Sequence, residues 1–138
     1  MTLEDQLIRD EGEVLHAYPD SLGFWTIGVG HLIDARKGGA IPKEVSRALL
    51  QYDINRIQAF VRTHFPWSLS LDEVRLAALT NMAFNLQGNL DGFVNFLAKM
   101  KAEDWAGAAA EGRDSLWHKQ TGDRAERIMR QIETGEWV

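Results

Sequence analysis

The chain contains no cysteine, so neither a disulfide framework nor a thiolate metal site can support it. Its 138 residues include no run that approaches the roughly 20 consecutive apolar residues a membrane-spanning helix needs, and stable membrane insertion is not expected. The opening "MTLEDQLIRDEGE" has neither a basic nor an apolar segment, so no signal peptide is expected. A basic excess is missing too. Against 15 Lys and Arg stand 20 Asp and Glu, split 7 to 9 over residues 1–69 and 8 to 11 over residues 70–138. Nucleic-acid binding depends on cations displacing counterions from phosphates, so this balance disfavours it. The four histidines, at 16, 31, 64 and 118, show no ligand spacing, and no metal or other cofactor is expected. What is present is 45% hydrophobic residues in a chain long enough to bury a core unaided.

Periodicity divides that core between unlike halves. Thr2, with Asp5 three residues on, predicts a capped helix to about Gly12. From Leu15 to His31 the pattern has a period of two, with "PDSLG" as turn and a second strand from Phe24. "DARKGG" reads as a loop. Pro42 then suits a first helical position, and residues 42–63 carry apolar groups at helical spacing until "HFPWSLS" breaks them. Ser70 and Glu73 predict a capping box opening a helix to about Leu86, apolar on nearly every side and therefore the buried centre of its lobe. Helical runs follow at about 90–101, 103–112 and 121–134, with Thr121 as cap and Gly135 as stop. The expected fold is α+β and mostly helical. A small N-terminal lobe with a β-hairpin (about 12–60) joins through a connecting helix to a helical C-terminal lobe (about 65–138 plus the first helix), all one domain.

Two carboxylates sit where surface charges should not. At about 100° per residue, Glu11 falls inside the apolar arc of Leu3, Leu7, Ile8 and Val14, while Asp5, Arg9, Asp10 and Glu13 point elsewhere. Desolvation and the negative end of the helix dipole would both disfavour its ionised form, making Glu11 a candidate proton donor; a carboxylate held by a buried arginine is an equal alternative. Asp53 falls in the middle of the apolar arc of the connecting helix, and a structural ion pair with His31 is the expected remedy. Asp20 lies in the hairpin turn, where an aspartate ordinarily caps its own backbone. On the second strand Trp25, Ile27 and Val29 share one face, which is expected to pack. Thr26, Gly28 and Gly30 share the other, one hydroxyl between stretches of bare backbone open to a ligand. A donor at Glu11, a carboxylate at Asp20 and a water-holding hydroxyl at Thr26 make a hydrolytic group. The five tryptophans, at 25, 67, 105, 117 and 137, are mostly expected in the core.

Glu11, "AYPDSLGFWTIGVGHLI", "ALTNMAFN", "GFVNFLAKMK", "DWAGAAAE" and "WHKQTGDRAERI" occur in this order, and over nearly its whole length the chain resembles the phage-type lysozymes, glycoside hydrolase family 24. The resemblance implies a two-lobed lysozyme-like fold and a muramidase that cleaves the β-1,4 bond between N-acetylmuramic acid and N-acetylglucosamine with inversion. It implies Glu11 as general acid, Asp20 as base or electrostatic partner and Thr26 as the residue that positions water. For substrate it points to Leu32 and, across the cleft, Phe84, with Gly30, Asn85 and Gln120 as further contacts. Phe96 and Glu111 fall where the family has polar groups on the cleft wall. Arg124 matches an arginine that can approach the catalytic glutamate and would favour its charged form. The implied partner is the peptidoglycan glycan strand, the implied state a monomer. The implied setting is an endolysin made in the host bacterial cytoplasm and acting on the wall in the periplasm during host lysis. The alternative is a cell-wall binding or tail-associated module of the same fold without turnover.

Overall fold

The computed structural model describes residues 1–33 and 39–138, so most of the loop expected over 34–39 lies outside the described residues. Two compact units, Met1–Leu49 and Leu50–Val138, divide the chain. In the first, α1 (Leu3–Glu11) begins with the expected box: Thr2 Oγ1 accepts from Asp5 N at 3.1 Å and Asp5 Oδ2 accepts from Thr2 N at 2.7 Å. Gly12 ends it at φ 77°, donating its N–H to the Ile8 carbonyl at 2.9 Å. Three antiparallel strands follow in the order β1 (Val14–Pro19), β2 (Trp25–Gly28), β3 (His31–Leu32).

The third strand goes beyond the hairpin read from the sequence. Thr26 pairs with Leu32 and Ile27 with His31, leaving residues 28–30 as a three-residue loop. Such a loop needs left-handed backbone, and the sequence supplies it as Gly-Val-Gly, with φ 69° at Gly28 and 66° at Gly30. Between β1 and β2 the register slips. Val14 faces Gly28 but Tyr18 faces Thr26, so four steps of β1 lie opposite two of β2. The surplus bulges outward, leaving Leu15, His16 and Ala17 exposed.

The connecting helix α2 (Lys43–His64) starts one residue after Pro42 and crosses the boundary between units. Of its apolar arc, Ile57 and Val61 are buried. A 3-10 turn over Pro66–Ser70 follows and occupies Ser70, so the cap of α3 (Glu73–Leu86) is Asp72, whose side chain accepts from Arg75 N, and not the expected Ser70. α3 carries buried Ala78, Leu79, Met82 and Ala83 and is the centre of the second unit's core, as its all-round apolar sequence predicts. Around it run α4 (Val94–Lys101), α5 (Trp105–Arg113), α6 (Leu116–Thr121) and α7 (Asp123–Thr134). Thr121 does not cap α7. It closes α6, which Ser115 caps, and Gly122 separates the two helices. Gly135 stops α7 at φ 73° as expected. Trp67, Trp105 and Trp117 join this core, whereas Trp25 and Trp137 are exposed.

Two contacts between these helices make measurable predictions. A Cβ on Gly112 of α5 would meet the Sδ of fully buried Met129 of α7 at 2.1 Å. Gly112→Ala would gain about 0.5–1 kcal/mol in helix propensity but force the core apart, so a net loss of about 1–2 kcal/mol is expected in chemical denaturation. Elsewhere on α7, Glu126 accepts from Arg113 Nη2 at 2.9 Å and from His118 Nε2 at 2.9 Å, and Arg113 Nη2 also donates to Glu133 at 3.0 Å. Arg113 first and His118 second hold the Glu126 carboxyl down at about 2, from an ordinary 4.5. A depressed carboxyl stabilises the fold above its unfolded value and loses that contribution as pH falls through the folded one. Melting temperature should therefore drop between about pH 4.5 and pH 2, and less steeply in Glu126→Gln.

Candidate active site

The end of α1, the β1–β2 turn and the middle of β2 bring the predicted hydrolytic group into the first unit. Glu11 is the last residue of α1. Asp20 follows β1 directly, and Thr26 lies in β2. Because Val14 pairs with Gly28, the strand that follows α1 begins beside the 28–30 loop.

Asp20 does what turn aspartates do and keeps something over. Its Oδ1 accepts from Leu22 N and Phe24 N, each at 2.9 Å, while its own N–H donates to the Phe24 carbonyl at 2.8 Å. These bonds lock the carboxylate's orientation through one oxygen. Among the described residues no hydrogen bond reaches Oδ2. Thr26 is 4% exposed and is the one buried residue among those described in this unit. Its paired neighbours Tyr18 and Leu32 explain this, since residues directly opposite in adjacent strands share a face and cover the position between them. Trp25, opposite Pro19, is 50% exposed, so the packing expected of its face fails at that residue, while Ile27 and Val29 are half-buried. Thr26 Oγ1 donates to the Phe24 carbonyl at 3.1 Å, which commits its hydrogen and leaves its lone pairs to accept from a water.

The desolvation expected at Glu11 is not found. Glu11 is exposed, and α1 has no buried residue. One nine-residue helix beside three short strands encloses too little volume to dry its inner face. The Glu11 side chain is nonetheless placed: a Cβ built on Gly30 would lie 3.2 Å from its Oε2, 3.6 Å from its Cδ and 3.8 Å from its Cβ. The premise for the His31–Asp53 pair changes as well. The Asp53 side chain is 41% exposed and lies 3.7 Å from Arg56, and His31 Nε2 donates to the Ala40 carbonyl, so each has its own partner.

Of the expected substrate contacts, Leu32 on β3 and Gly30 in the 28–30 loop belong to the first unit, and the others to the second. Phe84, expected to contact substrate, is half-buried in the second unit. It packs against the core and also lines a groove of about 370 Å³ with Leu50, Ile54 and Ala77, whose polar side is Asn81 and Arg124. Arg124 donates through Nε and Nη2 to Asn81 Oδ1, at 3.1 and 2.8 Å. Asn85 Oδ1 accepts from Trp117 Nε1 at 2.7 Å, an internal brace, while Gln120 is exposed. Phe96, expected on a cleft wall, is 2% exposed and part of the core. Beside it, Glu111 lines a shallow pocket with Asp114 and Ser115.

Comparison of the whole sequence with known families identifies one. The sequence profile of that family, described as phage lysozyme, matches residues 9–133. The chain belongs to the phage lysozyme family. That makes it a lysozyme-type hydrolase. Among its relatives, the probable T4-type lysozyme 1 of Dictyostelium discoideum is 30% identical over 97% of this chain and 95% of its own length. The endolysin of Acyrthosiphon pisum secondary endosymbiont phage 1 is 31% identical over 75% of this chain and 69% of its own. The pre-baseplate central spike protein Gp5 of Enterobacteria phage T4 is 34% identical over 98% of this chain, which spans only 28% of that protein.

Sequence reasoning about this lysozyme did not single out Asn81 as the partner of Arg124 or Gly30 as the surface under Glu11. The first pairing joins residues 43 positions apart and leaves no local signal. The second did leave one, in the Gly-Val-Gly spacing that sets two left-handed residues beside the helix end.

Proposed function

We propose that the protein is a peptidoglycan muramidase in which Glu11 is the general acid, Asp20 the general base and Thr26 the residue that orients the attacking water. The observation that carries this reading is that Asp20 and Thr26 both hydrogen-bond to the backbone of Phe24. One Asp20 oxygen is fixed by two backbone N–H groups, and the Thr26 hydroxyl has given its hydrogen to Phe24. A water donating one hydrogen to Asp20 Oδ2 and the other to Thr26 Oγ1 turns a lone pair outward, toward an anomeric carbon. Glu11 gives its proton to the glycosidic oxygen as the C1–O bond breaks. The water oxygen bonds to C1, and the water's proton ends on Asp20. Such a water on the far side of the sugar inverts the anomeric centre and calls for carboxyls about 6.5–9.5 Å apart. Proton NMR of the first product formed from a soluble glycan fragment should show the α-anomer; a β-anomer would assign Asp20 the role of nucleophile.

The bond we assign is the β-1,4 linkage from N-acetylmuramic acid to N-acetylglucosamine, and the setting is lysis of a bacterial host, as the name endolysin indicates for one relative. No described helix is long and apolar enough to cross a membrane. The similarity to Gp5 favours a second setting, attachment to a phage tail, where the same fold would act on the wall from outside. A module that only binds would sediment with purified peptidoglycan without releasing reducing ends; an enzyme releases them.

A further inference from the structure

Gly28 and Gly30 flank the same residue in the 28–30 loop and have nearly the same backbone, φ 69° and 66°. Their surroundings differ. A Cβ on Gly28 would meet nothing within 4 Å, whereas a Cβ on Gly30 would lie against three atoms of Glu11, with Oε2 at 3.2 Å. The space a Gly30 side chain would take is bordered by Cβ, Cδ and Oε2 of Glu11, so the glutamate runs along that space and does not meet it with its tip alone. Turn geometry accounts for a glycine at both positions, but the missing side chain has a second use only at Gly30.

Glu11 needs that support. It is exposed, it is the last residue of its helix, and no hydrogen bond to its carboxylate is present among the described residues. A carboxyl so placed could sample several rotamers, only some of which aim the proton at a bound glycosidic oxygen. The β1–β2 pairing of Val14 with Gly28 holds the loop against the end of α1, so the bare face of Gly30 is presented at a fixed height beneath the acid. We propose that Gly30 is a positioning residue for the general acid: its lack of a side chain forms the seat along which Glu11 lies, and it acts through Glu11 and not by contact with sugar. This rests on the muramidase reading for its consequence in catalysis but not for the contact itself.

The matched pair of glycines supplies the test. Gly28→Ala and Gly30→Ala impose similar left-handed strain, so what separates them is the contact with Glu11. In kinetics on a soluble peptidoglycan fragment, Gly30→Ala should lower kcat about tenfold to a hundredfold below Gly28→Ala, with KM shared between the two. The ¹³C shift of the Glu11 carboxyl, read without substrate, should move in Gly30→Ala and stay near the wild-type value in Gly28→Ala. Equal kcat and equal carboxyl shifts in the two variants would overturn the proposal. A rise in KM alone would overturn it in favour of sugar contact, and failure of Gly30→Ala alone to fold would make Gly30 merely structural. If the wild type itself releases no reducing ends, the muramidase reading fails, while the carboxyl shifts still decide whether Gly30 seats Glu11.

Discussion

Glu11→Gln is expected to slow clearing of purified peptidoglycan by about a hundredfold or more, with the melting temperature within about a degree of wild type. The substitution keeps the shape of the side chain and its contact with Gly30 but removes the transferable proton. Glu11 makes no buried contact and caps no helix, so little stability depends on its charge. Undiminished clearing would remove Glu11 from the mechanism. A large fall in melting temperature would mean that lost activity reports lost structure.

The largest effect on stability is expected at Arg75. Its side chain is 15% exposed and joins three elements: Nε donates to the Ile132 carbonyl at 2.7 Å, Nη2 to the Glu133 carbonyl at 3.4 Å, and Nη1 lies 3.0 Å from Asp72 Oδ2. The guanidinium also stacks over Trp105 at 4.3 Å. Helix C-termini leave carbonyls unsatisfied at the negative end of the dipole, and a planar cation that bonds them while pairing with the α3 cap answers both needs. Arg75→Ala leaves those carbonyls without their donor and should cost about 3 kcal/mol, or on the order of 10 °C in melting temperature. Arg75→Lys should recover only the part that comes from charge, because an ammonium cannot reproduce the fork. An alanine variant melting within 2 °C of wild type, on that same scale, would show that solvent replaces these bonds at little cost.

Arg75 also marks where the sequence stops being informative. Its partners on α7 lie 57 and 58 residues away, and nothing in "LDEVRLAAL" distinguishes it from a surface arginine. The Thr2 box and the Gly135 stop were legible because caps are formed within four residues. Ser70 and Thr121 misled for a related reason: each is a good capping residue, but Ser70 is taken up by a 3-10 turn, so that Asp72 caps α3, and Thr121 is the last residue of α6, so that Gly122 stands at the start of α7. The slip between β1 and β2 was hidden because alternation fixes which face a residue takes, not which residue it meets. For the site, Asp20 and Thr26 were singled out by type and position, and both hydrogen-bond to nearby backbone. Glu11 was found by a helical wheel that wrongly implied burial, and what places it is the contact with Gly30.

The central claim is that this site hydrolyses the glycan at the anomeric carbon of muramic acid. Its most direct test is to digest purified peptidoglycan, reduce the products with borohydride and identify the new chain ends by mass spectrometry. The account predicts muramitol ends from the wild type and none above background from Glu11→Gln. Ends of N-acetylglucosaminitol or of anhydromuramic acid, or release of peptide without new glycan ends, would contradict it.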